Sequence, residues 1–124
     1  MPPPFSPIQE TIGFFGGSFD PIHNGHLELA RELLAHASLD HILLCPAHQA
    51  PLRNQPHHAS PAHRLAMVTA AVENQLGLKA TDLEIQANEV SYTRDTIRNL
   101  QAQRPDSEIH LILGADQLAR LPQW

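Results

Sequence analysis

The chain has 124 residues, 42% of them hydrophobic, and a formal net charge of −5 with histidine neutral. A domain of that length buries about two-thirds of its unfolded surface, enough for one core, and the acidic balance excludes a general nucleic-acid binder, which needs a basic stripe. The one cysteine, Cys45, excludes an intrachain disulfide and a cysteine-based zinc site.

Residues 1–10 read as a flexible proline-rich tail and 11–124 as one core. Met1-Pro2-Pro3-Pro4 lacks the apolar stretch of a signal peptide, and no apolar run reaches the length of a membrane span. A cytoplasmic location with no membrane partner is the expectation. Ile12 to Phe15 forms the first strand. Gly16-Gly17-Ser18 follows as a glycine loop, where a backbone without Cβ can approach a ligand and present N–H groups to it. Asp20-Pro21 turns the chain, since proline fixes φ and aspartate bonds to nearby backbone; Asp20 reads as a brace rather than a proton-transfer group.

His23-Asn24-Gly25-His26 opens a helix over residues 24–37, with Leu27, Ala30, Leu33, Leu34 and Ala37 at helical spacing. His23 and His26 share one face of its first turn, where unsatisfied N–H groups carry about half a positive charge. A strand, two glycines and two imidazoles at a helix N-terminus read as a phosphate site. A bound triphosphate would favour protonated rings that donate to its oxygens. The alternative makes both histidines ordinary caps or core residues.

His41 to Cys45 is a buried strand, with Cys45 as a small hydrophobe at its end. Residues 46–60 form a long loop rich in proline and histidine, of a length that is often functional in compact domains. His48, His57, His58 and His63 fit no tetrahedral zinc spacing and read as exposed, although His48 could also line a cleft at the strand end. No metal site is expected. Ser60-Pro61 is an N-cap followed by proline at the first helical position, and the helix it starts carries Leu65, Val68, Val72 and Leu76 before Gly77 closes it.

A short strand is expected around Leu83-Glu84-Ile85, then a loop to Tyr92. Thr93 is the expected N-cap of a helix with Thr96, Ile97 and Leu100, which Arg104-Pro105 ends. His110 to Leu113 is a further apolar strand that enters Gly114 and a short helix, where Asp116 either caps the helix or contacts a ribose. Apolar strands alternating with helices call for a parallel sheet covered on both faces, with ligands bound beyond the carboxyl ends of the strands.

Gly16-Gly17-Ser18-Phe19-Asp20-Pro21 with His23-Asn24-Gly25-His26 resembles the signature of the nucleotidyltransferases with a His-x-Gly-His site. The resemblance implies a Rossmann-like, doubly wound parallel sheet in three α/β/α layers. Members of that superfamily adenylylate pyridine mononucleotides or phosphopantetheine, or cytidylylate alcohol phosphates. Ser91-Tyr92-Thr93-Arg94-Asp95-Thr96, Gly114-Ala115-Asp116-Gln117-Leu118 and Leu121-Pro122-Gln123-Trp124 are similar to bacterial nicotinate-nucleotide adenylyltransferases. So are Cys45-Pro46-Ala47-His48, Pro51-Leu52-Arg53 and His63-Arg64-Leu65-Ala66-Met67. The chain departs in reading Ala50-Pro51-Leu52-Arg53 where that family has Pro-Pro-His-Lys. It also stops at Trp124, ahead of a Ser/Thr-rich phosphate motif, so it reads as C-terminally truncated with an incomplete fold.

What the resemblance implies is adenylyl transfer from ATP to nicotinate mononucleotide. His23 and His26 would be catalytic. Gly16, Gly17, Ser18, Arg53, Gly114 and Asp116 would bind ATP. Ser91, Tyr92, Thr93 and Trp124 would hold the mononucleotide. Mg²⁺ would travel with the ATP phosphates, since no carboxylate cluster is visible. Neither a Ser/His/Asp arrangement nor a reactive cysteine is present, so no covalent intermediate is indicated. Other transferases of the superfamily, a nucleotide-binding module without catalysis, and a homo-oligomer remain open.

Overall fold

The computed structural model describes residues 10–48, 58–87 and 92–113. The elements in order are β1 (Glu10–Gly17), α1 (Asn24–His36), β2 (His41–Pro46), α2 (Pro61–Val72), β3 (Leu78–Ala80), α3 (Leu83–Ala87), α4 (Thr93–Gln103) and β4 (Ser107–Ile112). The strands form one parallel sheet in the order β3-β2-β1-β4.

Strand alternation builds two cores from one sheet. Phe15, Ile42, Leu44 and Ile112 point to the face covered by Ala30 of α1 and Val68 and Val72 of α2. Ile12, Phe14, Leu43 and Cys45 point to the other, beneath Leu100 of α4 and Leu83 of α3. Side chains on successive strand residues face opposite ways, so an unbroken apolar run serves both layers. This is the expected three-layer α/β/α arrangement. The chain winds from β1 through β2 to β3 on one side and then crosses to β4 on the far side of β1. Strand order therefore reverses at β1, and the carboxyl ends of β1 and β4 flank the crevice where such sheets take ligands.

Several local expectations need correction. Gly16 and Gly17 do not form a loop: they are the last residues of β1, in register with Cys45 and Pro46. The third strand is Leu78–Ala80, paired with Ile42–Leu44, while Leu83-Glu84-Ile85 lies in a short helix. A three-residue strand is too short to show a period, and Leu83-Glu84-Ile85 fits either period. Helix α2 ends at Val72, and Gly77, at φ +84°, sits in the turn entering β3, which leaves Leu76 97% exposed. Tyr92, not Thr93, is the N-cap of α4, and its side chain makes no capping bond.

The last strand, expected over His110 to Leu113, runs instead from Ser107 to Ile112. Ser60 caps α2, accepting from the His63 N–H at 3.2 Å, with Pro61 in the first turn. Leu27, Leu33 and Leu34 of α1 pack against the core, while Ala37 is exposed at the C-cap. Cys45 is buried and its thiol is pushed up to about 12, first by burial and then by the charge of Glu84, so it is inert. At the amino edge of the sheet, Glu10 accepts from Arg104 and Ser107 at 2.8 Å each and ties β1 to β4. Residues 1–9, which hold most of the predicted tail, lie outside the described residues.

Candidate functional site

In a parallel sheet the covering helices run back against the strands, so α1, α2 and α4 all begin at the carboxyl edge. Arg104 at the end of α4 confirms this by reaching Glu10 at the opposite edge. Three helix N-termini, with the positive ends of their dipoles, thus face one rim.

The junction of β1 and α1 is the most elaborated part of that rim. Phe19 takes a positive φ of 49° with its ring buried, and the Asp20–Pro21 peptide is cis. His23 is the N-cap of α1. Its Nδ1 accepts from the Gly25 N–H at 3.1 Å, and Nδ1 of His26 accepts from the His23 N–H at 3.1 Å. This is a capping box with imidazoles in place of the usual hydroxyl and carboxylate. The rings stack at a centroid distance of 3.8 Å, and His26 also meets Phe19 edge-on at 5.0 Å. Gly25 is required by this fold-back: a Cβ there would lie 2.9 Å from Cε1 of His23.

The capping reading holds, and the caps use only the Nδ1 atom of each ring. Because each Nδ1 accepts a hydrogen bond, the ring hydrogen sits on Nε2, and Nε2 of each ring is left as a donor. Donation to a phosphate needs no second proton. Burial, with the neighbouring His23 second, pulls the His26 pKa down from 6.5, which favours the neutral ring.

Asp20 is a brace, as expected. Its carboxylate accepts from the His58 N–H at 2.6 Å and the Ala59 N–H at 3.0 Å, joining the β1–α1 loop to the entry of α2. His48, beyond the end of β2, is half-buried; its Nδ1 is buried without a hydrogen-bond partner, while its carbonyl is held by Arg64. His58 and His63 are exposed. Among the described residues no group of three or more His, Cys, Asp or Glu side chains could hold a metal ion.

Tyr92 is exposed, and its carbonyl accepts from the Asp95 and Thr96 N–H groups; Thr93 is the first residue of α4. Helix polarity puts both at the same rim as the histidines. Arg53, Ser91, Gly114, Asp116 and Trp124 lie outside the described residues, as does His57.

Among the described residues two buried charged side chains, Arg64 and Glu84, were given no role from the sequence. Arg64 is fully buried under the loops of the rim. Its signal was available: it stands four and eight residues before Val68 and Val72, on the apolar face of α2. Glu84 is 5% exposed beside Cys45, and burial raises its pKa, an effect partly offset by a hydrogen bond with Thr96. Nothing local marks Glu84, since α3 is one short turn.

Fold and rim together define a Rossmann-like α/β domain with a His-x-Gly-His step at the start of α1. The sequence model of the cytidylyltransferase-like family matches residues 14–124, and the chain belongs to that family. It is similar to proteins named "Probable nicotinate-nucleotide adenylyltransferase". The one from Gemmatimonas aurantiaca is 42% identical over 113 residues, which are 91% of this chain and 53% of that protein. The one from Synechococcus is 42% identical over 124 residues, 100% of this chain and 59% of that protein. The chain thus spans little more than half the length of these curated relatives. Among solved structures, Plasmodium falciparum nicotinic acid mononucleotide adenylyltransferase complexed with NaAD shares the fold, with a TM-score of 0.78 at 22% identity over 93% of this chain and 57% of that one. The same enzyme complexed with APC superposes with a TM-score of 0.76, also at 22% identity, over 93% of this chain and 56% of that one. No helix among the described residues is long and apolar enough to cross a membrane.

Proposed function

We propose that this chain carries the nucleotide site of an adenylyltransferase that joins ATP to nicotinate mononucleotide, giving deamido-NAD and pyrophosphate. One observation carries the reading: two stacked imidazoles at the start of α1, each with Nδ1 committed to the backbone and Nε2 left to donate. The names of the relatives supply the acceptor.

The phosphate oxygen of the mononucleotide attacks the α-phosphorus of ATP, and the bond to the β-phosphate oxygen breaks as pyrophosphate leaves. Such a transfer proceeds by positioning and charge stabilisation. The backbone of Gly16, Gly17 and Ser18, at the end of β1, would lie along the phosphates. Nε2–H of His23 and His26 would donate to the oxygens that gain charge, in a partly buried site where such donors act strongly. Tyr92 and Thr93, at the N-terminus of α4 on the same rim, would present backbone groups to the nicotinate carboxylate. Ser91 and Trp124 are the neighbours expected there. Arg53, Gly114 and Asp116 are the remaining ATP contacts of this proposal. Mg²⁺ would enter as MgATP: both Asp20 oxygens already accept backbone N–H groups, and among the described residues no group of three or more His, Cys, Asp or Glu side chains could hold the ion.

The test is pyrophosphate release from MgATP and nicotinate mononucleotide, with the amide mononucleotide alongside. Turnover that prefers the acid, and that falls at least a hundredfold in His26→Ala with little change in ATP affinity, is the expected result. Unchanged turnover in His26→Ala overturns the assignment.

A further inference from the structure

Arg64 is the most deeply buried cation among the described residues, and its hydrogen bonds converge on the rim from below. Its side chain runs back past the start of α2 and spreads over three carbonyls. Nε donates to Ala59 at 3.1 Å, Nη1 to Ser18 at 2.8 Å and Nη2 to His48 at 3.0 Å. Those carbonyls belong to three different segments: the loop after β1, the exit of β2 and the entry to α2. The backbone of Ala59 is held at both of its polar groups, its N–H by Asp20 and its carbonyl by Arg64. The Ala47 N–H adds a bond to the Gly17 carbonyl at 2.9 Å, so β2's exit is tied to the glycine pair as well.

We propose that Arg64 is a positioning residue for the nucleotide site, setting the ring of His26 through the Ser18–Phe19 peptide. The proposal rests on the functional reading above only for what the site binds. The Ser18 carbonyl that Arg64 holds lies in the same peptide plane as the Phe19 nitrogen, so fixing it restricts rotation about Phe19 φ. Phe19 sits at φ +49°, a conformation that a bulky residue keeps only where its surroundings over-determine it. Its ring, buried against Phe15 at 5.4 Å, is the surface on which His26 stands at 5.0 Å. The path runs from guanidinium to peptide, to phenyl ring, to imidazole. A lysine cannot replace the planar fork, because its three donors radiate from a single nitrogen and cannot span three separated carbonyls.

The His26 ring protons report the contact directly, since the ring currents of Phe19 and Phe15 displace their NMR shifts. In the folded natural protein bearing Arg64→Lys, those shifts are expected to move toward random-coil values, and turnover of MgATP with nicotinate mononucleotide to fall at least tenfold with little change in MgATP affinity. Wild-type His26 shifts in that folded variant overturn the proposal. If Arg64→Lys does not fold, Arg64→Gln takes its place under the same criterion. Failure of both to fold overturns a positioning role in favour of a structural one. Absence of MgATP binding by the wild-type protein overturns the functional reading alone, because the ring shifts still decide the role of Arg64.

Discussion

At the residue scale the candidate site is a pair of imidazoles bent back onto their own backbone. The sequence puts His23 and His26 together at the start of a helix, with capping as one of two readings, and the structure shows both Nδ1 atoms used as caps. That use gives Gly25 its purpose. Gly25→Ala would push the His23 ring off its cap, since the new methyl carbon would fall within 3.0 Å of the ring Nδ1. We expect a stability loss of about 1 kcal/mol, the size of a lost cap, read by urea denaturation, together with weaker MgATP binding. His26 itself should titrate below 6.5 by NMR, because burial disfavours its cation, and pyrophosphate should raise that midpoint. A midpoint at or above the ordinary value would remove the neutral-donor reading.

Glu84 is the residue-scale counterpart in the core. Its folded-state pKa is raised by burial, so the stability associated with its neutral form is complete below the unfolded-state pKa and is lost as pH rises through the folded one. Glu84→Gln keeps the shape and removes the charge. Its melting temperature should match wild type near pH 4 and exceed it at pH 7. An equal difference at both values would show that Glu84 does not titrate in this range.

At the element scale, most of what the sequence promises is delivered by rules that reach only a few residues. Ser60 before Pro61 makes an N-cap because its hydroxyl is within reach of the His63 N–H, whatever the rest of the chain does. Ser60→Ala should cost about 1 kcal/mol, measured by urea denaturation, and should leave the His26 shifts unchanged. The failures at this scale are instructive. Leu78–Ala80 is a strand only because Ile42–Leu44 lies alongside it, and Gly77 can turn the chain there at φ +84°. Tyr92 caps α4 without a side-chain bond, so helix entry there follows from how the preceding segment arrives. Neither fact has a local signature.

At the scale of the whole molecule, one sheet serves two cores, and β1 is central to both. Phe14 is fully buried on the α4 face, with Ile12 beside it. Phe14→Ala should cost about 3–5 kcal/mol, against a typical domain stability of about 5–15 kcal/mol. A loss under about 1 kcal/mol in urea denaturation would mean that this second core contributes little. The crossing from β3 to β4 also brings the N-terminus of α4 to the rim where α1 begins.

The sequence by itself determined strands β1 and β2, the Ser60-capped start of α2 and the place of His23 and His26 at a helix N-terminus, because each depends on side chains and backbone within about one helical turn. Only the tertiary structure decided the order β3-β2-β1-β4 and the burial of Arg64 and Glu84. It alone gave Asp20 and Arg64 their partners, across separations of up to 46 residues. A hydrogen bond between such distant groups exists only after the chain has closed around them, and loop closure leaves no periodic trace in the residues it joins.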